Sequence, residues 1–163
     1  MRLALVVMGH FIKKKTENMK RANLLIGLTI FVLTACGQGK IKTPIDAMDK
    51  FEKFKTKEKF LQDNSIFYPG IADPAMRPIL SAKINLAADD FKALAETGKA
   101  TDKEYQEKIK IGLQRFYDVY INLDIEDRER VCLYFEEIMD IVGLESSNGQ
   151  LNKFVYGFDP TKK

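Results

Sequence analysis

Apolar residues in the second half of the chain recur at helical spacing. Tyr105, Ile109, Leu113, Phe116 and Tyr120 fall at steps of three and four, which makes one inward stripe of an α-helix. Thr101-Asp102-Lys103-Glu104 precedes them as a capping box, the Thr and Glu three apart satisfying each other's backbone donors. The helix it opens is expected to end near Asn122. Asp124 then caps another helix, running to about Val142 with Gly143 as its stop. At about 100° per residue, Val131, Cys132, Phe135, Ile138, Met139 and Val142 gather on one side of it. Glu126, Glu129, Glu136, Glu137 and Asp140 gather on another side, and Leu133 projects from the middle of that acidic stripe.

The first half reads less evenly. Thr43-Pro44 is expected to open a helix, with Thr43 as N-cap and Asp46 at the positive end of its dipole. Ile45, Met48, Phe51 and Phe54 are its inward positions. Residues 63–72 break the pattern with Asn64, Pro69 and Gly70 and read as a loop. Ile66, Phe67 and Tyr68 within it are too apolar for water and are expected to tuck against the core. Asp73-Pro74 starts the next helix, which Gly98 ends. Its apolar positions, Ile79 to Leu94, do not fit one narrow stripe, so it is either broadly buried or broken near Asn85. The apolar tail at 149–160 predicts a short helix or turn docked on the rest, and either 65–72 or 150–158 is an alternative site for a small hairpin. The class expected is all-α, a four-helix up-and-down bundle with a short C-terminal docking element.

Ahead of this domain lies a segment of different character. Residues 22–35 (ANLLIGLTIFVLTA) are an uncharged apolar run preceded by Lys20-Arg21 and followed by Cys36, the layout of a secretory signal. Leu33-Thr34-Ala35-Cys36 resembles the bacterial lipobox, and that resemblance implies cleavage before Cys36 and acylation of its thiol and new amine, palmitate included. The unbroken apolar stretch from Leu24 is 12 residues, against roughly 20 for a membrane span. Several acyl chains anchor a protein stably where one does not. Gly37 follows the Cys in place of the Asp that resembles an inner-membrane retention signal. The expected location is the bacterial cell envelope, lipid-anchored, on the outer membrane facing the periplasm if the source is Gram-negative. Starting at Met19 gives a signal of ordinary proportions, so residues 1–18 are read as a mis-annotated extension, 19–35 as the signal, 36–42 as lipidated Cys and tether, and 43–163 as one helical domain.

Charge changes its meaning once this segment is set apart. The whole chain is +3, but residues 1–36 carry six Lys or Arg and one acid. The remainder is therefore net −2, with 20 basic and 22 acidic residues, and has no basic footprint for nucleic acid. Within it, residues 118–145 hold nine acids and two Arg, while 37–60 hold seven Lys and four acids. This separation suits either contact between the first and fourth helices or a partner surface. The lysines from 50 to 59 suit either a solvated helix face or anionic lipid headgroups.

Several chemistries lack their residues. The sole histidine, His10, precedes Cys36, which removes His-dependent triads, general acid–base work by His and His-containing zinc sites from the mature chain. Cys132 is then the one remaining thiol and is expected to be a small buried group. No phosphate-loop, dinucleotide or nucleophile-elbow motif occurs. A calcium loop over 118–129 fails because Tyr120 replaces an oxygen ligand and Leu123 stands where Gly is needed. No catalytic residue, metal site or cofactor is expected. Carboxylates remain, at Asp89-Asp90, at Asp124, Glu126, Asp127 and Glu129, and at Glu136-Glu137. A glycosidase would need two of them opposed across a cleft.

Residues 123–160 resemble the uncharacterised bacterial family called domain of unknown function 4844, through an acidic-Arg helix followed by a Leu-Asn and Tyr-Gly-Phe-Asp-Pro ending. The resemblance implies no known activity and carries over no catalytic residue. The leading expectation is a non-enzymatic envelope lipoprotein that binds a protein partner through Glu126, Glu129, Leu133, Glu136, Glu137 and Asp140, with an immunity or inhibitor protein as its specific version. The alternatives are a carboxylate-dependent glycan-binding or glycan-active protein and a structural envelope component. With Met19 as the start, peptide mapping of the protein from cells should recover no tryptic peptide from residues 1–13; detecting one would contradict that start.

Overall fold

Five α-helices and one 3₁₀ turn make up the regular structure of residues 39–158, the part of the chain described by the computed structural model. The expected extension, signal segment and lipidated Cys36 lie outside the described residues. The helices are α1 (Ala47–Thr56), α2 (Met76–Glu96), α3 (Asp102–Gln114), α4 (Ile125–Val142) and α5 (Gln150–Tyr156), with the 3₁₀ turn at Tyr120–Asn122. The all-α class is the one the spacing predicts, and neither alternative hairpin forms a strand. Asp63 and Tyr68 make only an isolated bridge.

Where local chemistry is strong, the boundaries follow it. Thr101 Oγ1 accepts the Glu104 N–H, and the Glu104 carboxylate accepts the Thr101 N–H at 2.8 Å, completing the capping box on α3. Such a cap contributes about 1 kcal/mol. The Asp124 carboxylate accepts the Asp127 N–H at 2.8 Å and starts α4. At the other end Gly143 takes φ 75°, and the Leu144 N–H reaches the Met139 carbonyl at 3.0 Å. That is a Schellman closure, with buried Leu144 as its apolar contact.

Elsewhere the boundaries move. α1 begins at Ala47, because Thr43-Pro44 leads into a turn in which the Pro44 carbonyl accepts the Ala47 N–H at 3.1 Å. Ile45 sits on that turn and is fully exposed, while Ala47 takes the inward place. α2 is unbroken at Asn85 and broadly buried, through Leu80, Ile84, Ala87, Ala88 and Phe91, with Ile79 and Leu86 left outside. α3 stops at Gln114, and a run of i→i+3 bonds carries the chain on to the 3₁₀ turn. Phe116 is nevertheless buried and Tyr120 packs on the core, so the inward stripe survives the change of helix type. The chain already joins the fold at Ile41, whose N–H donates to the Ala100 carbonyl at 2.9 Å, inside the segment read as a tether.

The packing centres on α2, which lies against α1, α3 and α4, while α5 docks Leu151, Phe154 and Val155 against α4 and α3. This is a hub with a fifth helix filling one side, more than a plain ring of four. Gly112 on α3 permits the closest approach. A Cβ there would lie 2.7 Å from two ring carbons of buried Phe135 and 3.3 Å from the Ala87 side chain. Gly112→Ala would gain about 1 kcal/mol of helix propensity and lose about 1–3 kcal/mol to overpacking. A lower melting temperature is expected, and a rise would show that Phe135 yields freely.

Candidate functional site: an acid-rimmed groove on the fourth helix

Three faces of α4 do three different jobs. The apolar face, with Val131, Cys132, Phe135, Ile138, Met139 and Val142, is buried as the periodicity predicts. Beside it Asp127, Arg130 and Tyr134, at i, i+3 and i+7, form a polar stripe that holds the loop between α1 and α2. Tyr134 Oη accepts the Phe60 N–H at 2.8 Å, and the two rings meet edge to face at 5.1 Å. The Tyr68 hydroxyl donates to Asp127 Oδ1 at 2.7 Å, and the Arg130 guanidinium reaches Asp63 Oδ2 at 3.3 Å. That guanidinium also lies over the Tyr134 and Tyr68 rings, at 4.7 and 5.5 Å.

The loop is tight in itself. Asp63 and Tyr68 exchange backbone hydrogen bonds of 2.8 and 3.0 Å. The Asp63 carboxylate accepts from the Ser65 N–H and hydroxyl, which holds its pKa below the ordinary carboxylate range. Closing so short a turn puts Phe67 at φ 57°, an uncommon and costly conformation for a bulky residue. Tyr68 consequently points inward and is buried. Phe67 is 92% exposed and Ile66 is also exposed. Of the three apolar residues expected to tuck in, only Tyr68 does.

The third face of α4 is left open. Glu126, Glu129, Leu133 and Glu136 floor a groove of about 370 Å³. Ile66, Phe67 and Tyr68 make one wall; Leu151, Asn152, Val155 and Tyr156 of α5 make the other. Leu133 is 40% exposed in the middle of the floor. The Tyr156 hydroxyl donates to Glu129 Oε1 at 3.0 Å, which raises the hydroxyl's pKa. Burial first, and then neighbouring Asp140, raise the Glu136 pKa. Burial, with Glu136 and Glu129 adding to it, pushes the Cys132 thiol up to about 12, so it is an inert apolar group at neutral pH.

The six residues singled out in the sequence thus divide. Glu126, Glu129, Leu133 and Glu136 share the groove. Glu137 turns to α1, where Lys57 Nζ meets it at 2.9 Å. Asp140 lines a second hollow with Glu137 and Lys50, Lys53 and Lys57. The lysine run is largely engaged within the domain: Lys50 pairs with Asp46 and Lys55 with Asp89, while Lys59 is buried with Nζ on the Phe54 and Lys57 carbonyls. Burial brings Lys59 down to about 8.

Asp90 accepts from Arg115 at 2.6 Å, Asp118 from Lys83, and Asp124 caps α4. In the groove the free acids all stand on α4, and neither wall opposes them with a second carboxylate, so the glycosidase arrangement is not formed there. Among the described residues no three His, Cys, Asp or Glu side chains are grouped to hold a metal ion. No described helix is long and apolar enough to cross a membrane.

Sequence reasoning missed the stripe that builds the wall. Asp127, grouped by sequence only with the acids Asp124, Glu126 and Glu129, is 3% exposed. The signal was its spacing from Arg130 and Tyr134, which puts an acid, a cation and an aromatic on one face.

What fold and site define is a small helical domain with an amphipathic groove on α4. The chain belongs to the family described as Domain of unknown function (DUF4844), which matches residues 42–159. It is also similar to a solved structure of a DUF3571 family protein from Acinetobacter baumannii AYE, at 38% identity over 68% of this chain and 89% of that one, with a TM-score of 0.62. No curated protein matches.

Burial first raises the Asp127 pKa above 3.8, against the opposing effect of the Tyr68 hydrogen bond. A carboxyl whose folded pKa is raised contributes stability that is full below its unfolded pKa and lost as pH rises through the folded value. Asp127→Asn keeps an acceptor for Tyr68 and removes the ionisation. The melting temperature of wild type should therefore fall relative to this variant as pH rises from below the ordinary carboxylate range toward neutral. Tyr68→Phe, which leaves a buried acceptor unpaired, should cost about 1–3 kcal/mol at neutral pH. A constant difference between wild type and Asp127→Asn across that range would contradict the assignment.

Proposed function

We propose that this chain is a non-enzymatic, lipid-anchored envelope protein whose groove on α4 binds another protein. The observation that carries the reading is Leu133, half-exposed between Glu129 and Glu136 at the floor of an apolar-walled groove. Apolar centres rimmed by charge suit protein interfaces, and most binding energy comes from a few such central residues. Phe67, held outward by a strained turn, supplies a second anchor at the groove's edge.

The anchor half of the proposal rests on Leu33-Thr34-Ala35-Cys36. It gains support from the family match beginning at residue 42, the last residue of the segment read as signal and tether. A small domain tethered to the envelope and presenting acids beside apolar anchors is suited to masking a basic surface on its partner, as an immunity or inhibitor protein would.

Leu133→Arg is the direct test. Crosslinked envelopes carrying the full chain should yield a co-purifying protein with wild type and none with the variant, while stability changes by less than about 0.5 kcal/mol. A large loss of stability would make Leu133 a core residue, and an unchanged set of captured proteins would place binding elsewhere.

A further inference from the structure

The acids of this domain are not treated alike. Several acids on the other faces, Asp46, Glu52, Asp89, Asp90, Asp118 and Glu137, each meet a Lys or Arg within the domain, at 2.6–3.0 Å. Among the described residues, Glu126, Glu129 and Glu136 meet none, although they stand together along one groove. The cation nearest to hand, Arg130, is held by Asp63 and by the Tyr68 and Tyr134 rings. Among the described residues the groove is therefore an apolar trough whose acids no Lys or Arg pairs, Arg130 lining it but turned to Asp63. Burial first, and neighbouring acids after it, raise both the Glu136 carboxyl and the Cys132 thiol.

Geometry narrows what fits. Glu129, Leu133 and Glu136 stand at i, i+4 and i+7, so the two acids bracket the leucine about 10 Å apart along the axis. A volume of about 370 Å³ receives one or two side chains, not a whole secondary element. We propose that the occupant is a segment of another protein that inserts one bulky apolar side chain against Leu133 and places a Lys or Arg on either side of it, toward Glu129 and Glu136. This rests on the groove being the binding surface and adds the chemistry of what it binds. Complementary charge would set partner choice and register, and the apolar insertion would supply most of the affinity.

The probe is a phage-displayed library of random dodecapeptides, panned against the biotinylated full chain in detergent, with Leu133→Arg and the Glu129→Gln, Glu136→Gln double variant as counter-targets. Both Gln side chains keep an acceptor, and unchanged melting temperatures certify the variants. Enriched peptides should carry Lys or Arg on both sides of a Phe, Leu, Met or Trp. They should bind the double variant about tenfold more weakly, and should weaken similarly at raised salt. Peptides that lose Leu133→Arg but are neutral or acidic, or that bind the double variant as tightly as wild type, would leave the groove reading standing and overturn the basic segment. A library that enriches nothing sensitive to Leu133→Arg would overturn both. Self-association of the full chain, abolished by Leu133→Arg, would seat a second copy in the groove and also overturn the proposal.

Discussion

The loop between α1 and α2 closes on itself through Asp63 and Tyr68 and buries Phe60, Tyr68 and Ile71, yet it holds Phe60 and Phe67 at positive φ. It is fixed from outside by three successive attachments to one face of α4, at Asp127, Arg130 and Tyr134. Each replaces water by a buried partner. The Tyr134 hydroxyl serves a backbone N–H, Asp127 takes a tyrosine hydroxyl, and the guanidinium lies on two aromatic rings. Such polar contacts are individually modest in net terms and costly to leave unmade. Because they repeat along the helix, they hold the loop as one rigid wall, and without that wall the neighbouring face of α4 would be an ordinary solvated surface.

Electrostatics then separates the two sides of the same helix. Toward α1, Glu137 meets Lys57, so part of the charge contrast between the first and fourth helices is internal complementarity. Toward the groove, Glu126, Glu129 and Glu136 stand beside exposed Leu133 with no Lys or Arg paired to them among the described residues. One acidic helix thus combines a structural contact and an open surface, and only the tertiary neighbours distinguish them. Cys132, beneath the groove, contributes packing and no reactivity, since burial and the nearby acids keep its thiol protonated.

The parts legible in the sequence are those governed by short-range chemistry. The Thr101–Glu104 capping box, the Asp124 cap and the Gly143 stop bound α3 and α4 through contacts within four or five residues. The inward stripe of α4 followed from helical periodicity alone. Ile45 failed because a Pro-led turn displaced the helix start, which periodicity cannot see. Phe67 failed because burial in a tight turn depends on which residue takes the left-handed conformation. Which partner buries Asp127 has no local signal, because Tyr68 lies 59 positions away. The acidic stripe around Leu133 was legible as a stripe, yet its division between Lys57 and the groove depends on where α1 and the loop come to rest.

The claim on which all of this depends is that residues 60–68 are a rigid wall held by α4. Hydrogen exchange on the full chain measures it most directly, since local opening free energies report how firmly a segment is held. The Phe60, Asp63 and Tyr68 amides should exchange slowly in wild type, and Tyr134→Phe should speed Phe60 at least about tenfold while the α2 and α3 core amides are unchanged. Fast exchange of all three amides in wild type would mean that the loop is not fixed to α4, and that the groove has only one wall.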